Sequence, residues 1–194
     1  MMQVPRENRI QCLVVGDAGV GKTTMLLHYA TNRFASCHGL KVFDNYAGVL
    51  KVGKHDYRLD LLDTTEHPDI EDRRQRFPGT DVIIICFSVI NPDSFKNVQT
   101  KWIPELRKAL GVTPFIILGT HVDLRQDPDV LQQLQIKGQK PVSSRVASAA
   151  CRRLGGKCYV ESSSTMKTRM RQALDEALLS VFNPDLNRST CCVQ

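Results

Sequence analysis

The sequence predicts an α/β protein with a doubly wound, mostly parallel sheet flanked by helices, and three features carry that reading. Apolar runs alternate with amphipathic stretches along the whole chain. The run Val82-Ile83-Ile84-Ile85-Cys86-Phe87 is apolar throughout, as suits a central parallel strand covered on both faces. Gly16-Asp17-Ala18-Gly19-Val20-Gly21-Lys22-Thr23 is a complete G-x-x-x-x-G-K-[ST] motif, with apolar Cys12-Leu13-Val14-Val15 before it and the helix-like Thr24-Met25-Leu26-Leu27-His28-Tyr29-Ala30 after it. At 194 residues, 42% hydrophobic and 24% charged, the chain can bury one substantial core, so one domain is expected.

In chain order, strands are expected at Gln11 to Val15, Gly48 to Val52, Tyr57 to Leu62, Val82 to Ser88, Phe115 to Leu118 and Lys157 to Glu161. Helices are expected at Lys22 to Thr31, Asp69 to Arg76, Pro92 to Leu110, Ser143 to Leu154 and Met166 to Phe182. In the third helix Phe95, Val98, Trp102, Leu106 and Leu110 recur near helical spacing, the mark of a core-facing stripe. The polar stretch Gln126 to Lys140 interrupts the alternation; Leu131, Leu134 and Ile136 give it helical spacing, as a small surface insertion.

The chemistry starts at the glycine-rich motif. Its glycines let the backbone curl until successive N–H groups face an oligophosphate, Lys22 adds a point charge, and the Thr23 hydroxyl can ligate Mg²⁺. The helix N-terminus adds its positive pole. A turn ahead of an ordinary helix explains a bare glycine pattern, but not G-K-T placed between a strand and a helix. Three later strands end in polar residues. Asp63 closes Leu59-Asp60-Leu61-Leu62-Asp63-Thr64, where a carboxylate can hold Mg²⁺ through water beside Thr23. Asp123 follows Phe115 to Thr120 and can accept from a guanine N–H and amino group; Glu161-Ser162-Ser163-Ser164 ends the third. Each alone is a common cap or turn; in this order they point to a guanine nucleotide.

The bulk composition narrows the alternatives. Twenty-six Lys and Arg against 20 Asp and Glu give +6, but the basic residues are scattered without aromatic interleaving, which argues for a solvated face and against nucleic acid. Seven irregularly spaced cysteines with no C-x-x-C pair suggest neither a zinc site nor a disulfide framework, and fit a reducing cytoplasm. The polar start, Met1 to Arg9, has no secretory core, and the longest apolar run is too short to span a bilayer. Cys191-Cys192-Val193-Gln194 has the C-a-a-X form, so Cys191 is a lipidation candidate; the adjacent cysteine leaves the number of lipids open, and an unmodified end is the alternative. With Arg188 the only basic residue near that end, one chain would hold the protein to membranes weakly and reversibly.

Taken together, these motifs resemble the Ras superfamily of small GTPases, and within it the Rho family, over nearly the whole chain. The Rho likeness rests on Val42-Phe43-Asp44-Asn45-Tyr46, similar to the Rho effector segment, on Lys101-Trp102-Ile103-Pro104-Glu105, on Ile85-Cys86-Phe87-Ser88, and on Gln126 to Lys140 at the Rho insert. The resemblance implies a P-loop nucleotide-binding fold with a six-stranded sheet, five main helices and a short insert helix, in a G domain over residues 1–182 with a tail at 183–194. It implies GTP or GDP as ligand with Mg²⁺, held by Ala18, Gly19, Val20, Gly21, Lys22, Thr23 and Thr24, with Phe34 against the base, Thr120, His121 and Asp123 reading it, and Ser163 and Ser164 supporting them. It further implies a monomer with downstream effectors, exchange factors and a Rho-type dissociation inhibitor as partners, cytoplasmic and partly membrane-associated.

The departures from the family pattern all fall within this chemistry. Ala18 stands at a usual glycine, and Lys41 replaces the threonine that ligates Mg²⁺. A protonated lysine offers only donors, so the GTP-dependent clamp is weakened. Asp63-Thr64-Thr65-Glu66-His67-Pro68 replaces Asp-Thr-Ala-Gly-Gln-Glu, and Thr120-His121-Val122-Asp123 lacks the usual lysine. An inward Glu66 at about 4 Å from the γ-phosphate would be repelled by about 4 kcal/mol at an effective dielectric near 20, more than the ~1.5–3 kcal/mol of a charged hydrogen bond. Glu66 is thus expected to face solvent or pair with Lys41; two unconnected surface charges are the simpler account. His67, at the glutamine position, is either a catalytic remnant or an ordinary loop histidine. Two functions follow: a switch that hydrolyses GTP slowly, or a non-cycling interaction protein that keeps the effector surface.

Overall fold

The computed structural model describes residues 9–33, 45–52, 55–64 and 77–163. Its sheet has six strands: β1 (Arg9–Gly16), β2 (Asn45–Val52), β3 (His55–Asp63), β4 (Val82–Ser88), β5 (Phe115–Thr120) and β6 (Tyr159–Glu161). Their order is β2-β3-β1-β4-β5-β6. Five strands run parallel, and β2 alone is antiparallel, paired to β3 from Val52↔His55 to Asn45↔Leu62. The chain leaves β1 towards one edge and returns to β4 on its other side, so a crevice opens at the C-terminal ends of the strands where the order reverses.

The central strands are buried on both faces, and their side chains alternate between two cores with the two-residue period of a strand. From β1 and β4, Cys12, Val14, Val82, Ile84 and Cys86 face one way, onto Val20 in the loop before α1 (Lys22–Arg33) and Met25 and Leu26 in its first turns. Leu13, Val15, Ile83, Ile85 and Phe87 face the other. There they meet Val98, Trp102, Ile103, Leu106, Ala147 and Cys151. Burial pushes the thiol of Cys86 up to about 12 and that of Cys12 up as well, so both stay protonated and pack as small apolar groups.

The helix expected over Pro92 to Leu110 is three pieces: α2 (Pro92–Asn97), a π turn (Val98–Trp102) and α3 (Ile103–Leu110). Its apolar stripe is inward as expected, with Val98, Trp102 and Leu106 buried and Phe95 and Leu110 packed on the same core. The polar insertion folds as α4 (Pro128–Ile136), started by Asp127, whose carboxylate accepts from the N–H groups of Asp129 and Val130 at 3.0 Å. Of its three spaced apolar residues only Leu134 is buried; Leu131 and Ile136 are exposed, because nine residues give a helix one narrow line of contact. The last described helix, α5 (Ser144–Leu154), is capped by Ser143 and stopped by Gly155 in the left-handed region.

β2 begins at Asn45, three residues before the expected start, so Asn45 and Tyr46 of the effector-like segment are strand backbone. β6 is two residues shorter at its start than expected. The expected helices at 69–76 and 166–182 lie outside the described residues, as do Phe34, Lys41, Val42, Phe43, Asp44, Glu66, His67, Ser164 and Cys191. Among the described residues no helix is long and apolar enough to cross a membrane.

Candidate functional site

Strand β1 delivers the chain to the crevice through Gly16, where φ is +147° and an added Cβ would lie 2.3 Å from the Cys86 carbonyl oxygen. Only glycine lets the loop leave that close to β4. The turn that follows exposes Ala18 and Gly19, buries Val20, and re-enters at Gly21 with φ +90°. Positive φ occurs at Gly16, Gly19 and Gly21 but not at Ala18, so alanine there takes an ordinary backbone conformation. Its effect can come only from its methyl group, which stands on the exposed side of the turn.

Lys22 opens α1 and folds back over the loop. Its ammonium donates to the carbonyls of Gly16 and Asp17, both at 2.8 Å, and the side chain is buried. Burial lowers its pKa below the ordinary lysine value, opposed by the carboxylates of Asp63 and Asp17. Next to it the Thr23 hydroxyl donates to Asp63 Oδ2 at 2.5 Å. Asp63 is the last residue of β3, which pairs in parallel with β1, so the two strands bring their C-terminal ends together. The Thr23 hydroxyl and the Asp63 carboxylate thus bring two hard oxygen donors together beside the loop. That donor set fits Mg²⁺, which keeps much of its water shell and takes few protein ligands. Thr24 is exposed one position further on.

Across the crevice, β5 ends at Thr120. Its hydroxyl lies 2.6 Å from the Val20 carbonyl and 3.0 Å from that of Phe87, both acceptors for its single proton, so it ties the phosphate loop to the strand that carries the later motif. His121 follows in the left-handed region at φ 58° and ψ 36°, the one non-glycine residue with positive φ among the described residues. Its Nδ1 lies 3.0 Å from Ser88 Oγ and 3.1 Å from Thr120 Oγ1, and its ring stands against Gly21, where an added Cβ would be 3.4 Å from Cε1. The ring thus braces the phosphate loop from the side. Asp123 sits in a one-turn 3₁₀ segment, Val122–Leu124, with its side chain exposed.

A family model for the Ras family matches residues 11–183. The chain belongs to the Ras family. It is a small GTPase, a nucleotide-binding switch of the kind that binds GTP and GDP, typically with Mg²⁺, and works through effectors and regulators.

Several residues of this small GTPase that shape the site carry no motif of their own. Arg125, two positions after Asp123, forms a forked ion pair with Glu161 at the end of β6, Nη2 to Oε1 at 2.5 Å and Nη1 to Oε2 at 2.9 Å. The hydroxyls of Ser144 and Tyr159 also donate to Glu161 Oε1, each at 2.7 Å. Ser162 N–H donates to the Gly119 carbonyl at 2.8 Å and Ser163 is buried beside it. The loops after β5 and β6 are therefore clamped as one unit, with Asp123 at its rim. Spacing hinted at this only in that a charged residue, Glu161, ends an otherwise buried strand.

Burial alone would raise the Glu161 carboxyl, but hydrogen bonds from Arg125, Ser144 and Tyr159 outweigh it and hold the pKa below the usual carboxylate range. A carboxylate depressed in the folded state stabilises the fold fully above its unfolded pKa near 4.5, and loses that contribution as pH falls through the lower folded value. Glu161→Gln is expected to cost about 1–3 kcal/mol at pH 7 and to flatten the loss of stability below pH 4.5. Thermal melts of both proteins from neutral pH downwards check this; parallel curves would show that Glu161 is not the titrating group.

Proposed function

We propose that this Ras-family chain is a Rho-type switch that binds GTP and GDP with Mg²⁺ at the phosphate loop, reads guanine through Asp123, and hydrolyses GTP slowly. What supports the reading is the Thr23–Asp63 pair beside the seated Lys22 ammonium, on the same edge of the sheet as the clamped loop of Asp123. Lys22 would meet the β- and γ-phosphates, with loop N–H groups around them. Gly19, Val20, Gly21 and Thr24 line that turn, and Thr120, His121 and Ser163 hold the base-side loop in place. Phe34 and Ser164 are assigned to the base from the sequence alone. Bound Mg²⁺ supplies charge neutralisation on the phosphates.

Selectivity for guanine follows from a carboxylate that accepts two hydrogen bonds from the base edge. Asp123→Asn turns one acceptor into a donor and is expected to shift preference towards xanthine nucleotides. Competition titration of labelled GDP checks this, and equal affinity of the wild-type protein for adenine and guanine nucleotides would refute the assignment.

Hydrolysis needs an aligned water, and in stimulated turnover also a partner's arginine, a combination worth about 10³–10⁵ in rate. The sequence places His67 where glutamine aligns that water, Glu66 next to it, and Ala18 where water and arginine approach. Stimulated phosphate release is expected to be far below that of an ordinary Rho protein, and Ala18→Gly, Glu66→Gly and His67→Gln together are expected to restore it. Full stimulation of the unmodified protein would overturn slow turnover.

A second reading, a non-cycling interaction protein, is favoured by Lys41, which lacks the hydroxyl through which Mg²⁺ orders the segment before Val42 to Tyr46. Effectors would then meet Val42, Phe43, Asp44, Asn45 and Tyr46 whichever nucleotide is bound. In either case we place the chain in the cytoplasm, with a G domain at 1–182 and a tail at 183–194 whose Cys191 is prenylated and only weakly membrane-bound. Intact mass from a eukaryotic host checks the tail: a C-terminus that keeps Val193 and Gln194 unmodified would rule prenylation out.

A further inference from the structure

Asn97 and Trp102 are five positions apart, and both reach Asp17. On an α-helix of 3.6 residues per turn such positions point about 140° away from each other, so a single carboxylate cannot serve both. Here the segment between them is the π turn, closed by the Ile103 N–H on the Val98 carbonyl. Its wider turn rotates the indole back over Asn97. Asn97 Nδ2 donates to Asp17 Oδ2 at 2.6 Å and Trp102 Nε1 to Oδ1 at 2.8 Å, so each carboxylate oxygen has its own donor. The indole is fixed further by the Lys101 ammonium, 4.5 Å from its ring centroid, and by burial in the core beneath β4. The same Asp17 lends its backbone carbonyl to the Lys22 ammonium at 2.8 Å.

We propose that Asn97 and Trp102 are positioning residues for the phosphate loop: by holding both oxygens of Asp17 they fix the carbonyl on which Lys22 sits, and so couple the α2–π–α3 segment to the grip on the nucleotide's phosphates. The proposal rests on guanine-nucleotide binding at this loop. It assigns the indole N–H a role that core packing alone does not require, and it gives the π turn a reason.

Two substitutions remove a donor while keeping bulk, Trp102→Phe and Asn97→Leu. Each is expected to speed dissociation of labelled GDP from the full chain about tenfold, with Mg²⁺ present or chelated, because the contact is to the loop and not to the Thr23–Asp63 pair. Leu106→Ala, a cavity in the same helix without contact to Asp17, is expected to lower thermal stability without speeding release. Trp102 is the only tryptophan in the chain, so one indole N–H resonance reports the contact; it is expected to move in Asp17→Asn and in wild-type protein on adding GDP. Release at the wild-type rate in both donor-deleted variants, or equal acceleration by Leu106→Ala, would overturn the positioning role while leaving nucleotide binding intact. Wild-type protein that takes up no guanine nucleotide fails at the first titration and overturns the binding reading together with this one.

Discussion

The ammonium of Lys22 is buried against two backbone carbonyls of its own loop, and a charge removed from water in this way must be met from several sides at once. The carbonyls come from Gly16 and Asp17, whose positions depend on where β1 ends beside β4. The compensating negative charge comes from Asp63, which depends on the parallel pairing of β1 with β3. The loop stays curled because Thr120 pins Val20 and His121 lies against Gly21, which depends on β5. Four consecutive strands of the sheet, β3-β1-β4-β5, thus converge around one cation, and the crevice formed by the reversal of strand order is where they can do so. An anionic phosphate would complete the same charge balance from the open side.

The rigidity of this edge is unevenly supplied. At the β5–β6 end the Arg125–Glu161 pair gathers four hydrogen bonds onto one carboxylate and joins two loops, an arrangement in which loss of one partner leaves the other half-buried and uncompensated. On the phosphate side the fixing is by single hydroxyls, a histidine ring and the Asp17 carboxylate. The left-handed backbone of His121 is what turns its ring onto Gly21. The lysine usual at this position of the family motif brings length and charge; histidine brings a flat ring and Nδ1 contacts to Ser88 and Thr120.

The phosphate loop, the strand alternation and the two-faced burial of Val82 to Phe87 were legible from spacing, because a period of two in a strand and a fixed glycine pattern leave few other solutions. Asp63 was legible as a carboxylate at the end of an apolar strand, while its pairing with Thr23 needed the parallel register of β3 with β1. The helix 92–110 was legible as a stripe but not in its winding: Phe95, Val98, Trp102 and Leu106 suit an unbroken α-helix nearly as well as one with a π turn, since the inserted residue shifts the register by less than the width of the apolar face. The insertion at Gln126 to Lys140 was legible as helical, while the exposure of Leu131 and Ile136 was not, because periodicity says which residues share a face and not whether anything covers it.

By itself the sequence determined the order of the elements, the glycine-rich loop between β1 and α1, the aspartates that end or follow strands, and the departures from the family pattern at Ala18, Lys41, Glu66 and His67. These are local properties: a glycine pattern, a period, a residue type at a fixed distance from a strand. Tertiary structure alone decided that Asp17 is held by Asn97 and Trp102, eighty or more residues away, that Arg125 closes on Glu161, and that His121 leans on Gly21. Such contacts are set by strand order and by the rotation of a helix about its axis, and a one-dimensional pattern carries neither, because hydrogen-bond partners are chosen by distance in space and not by separation along the chain.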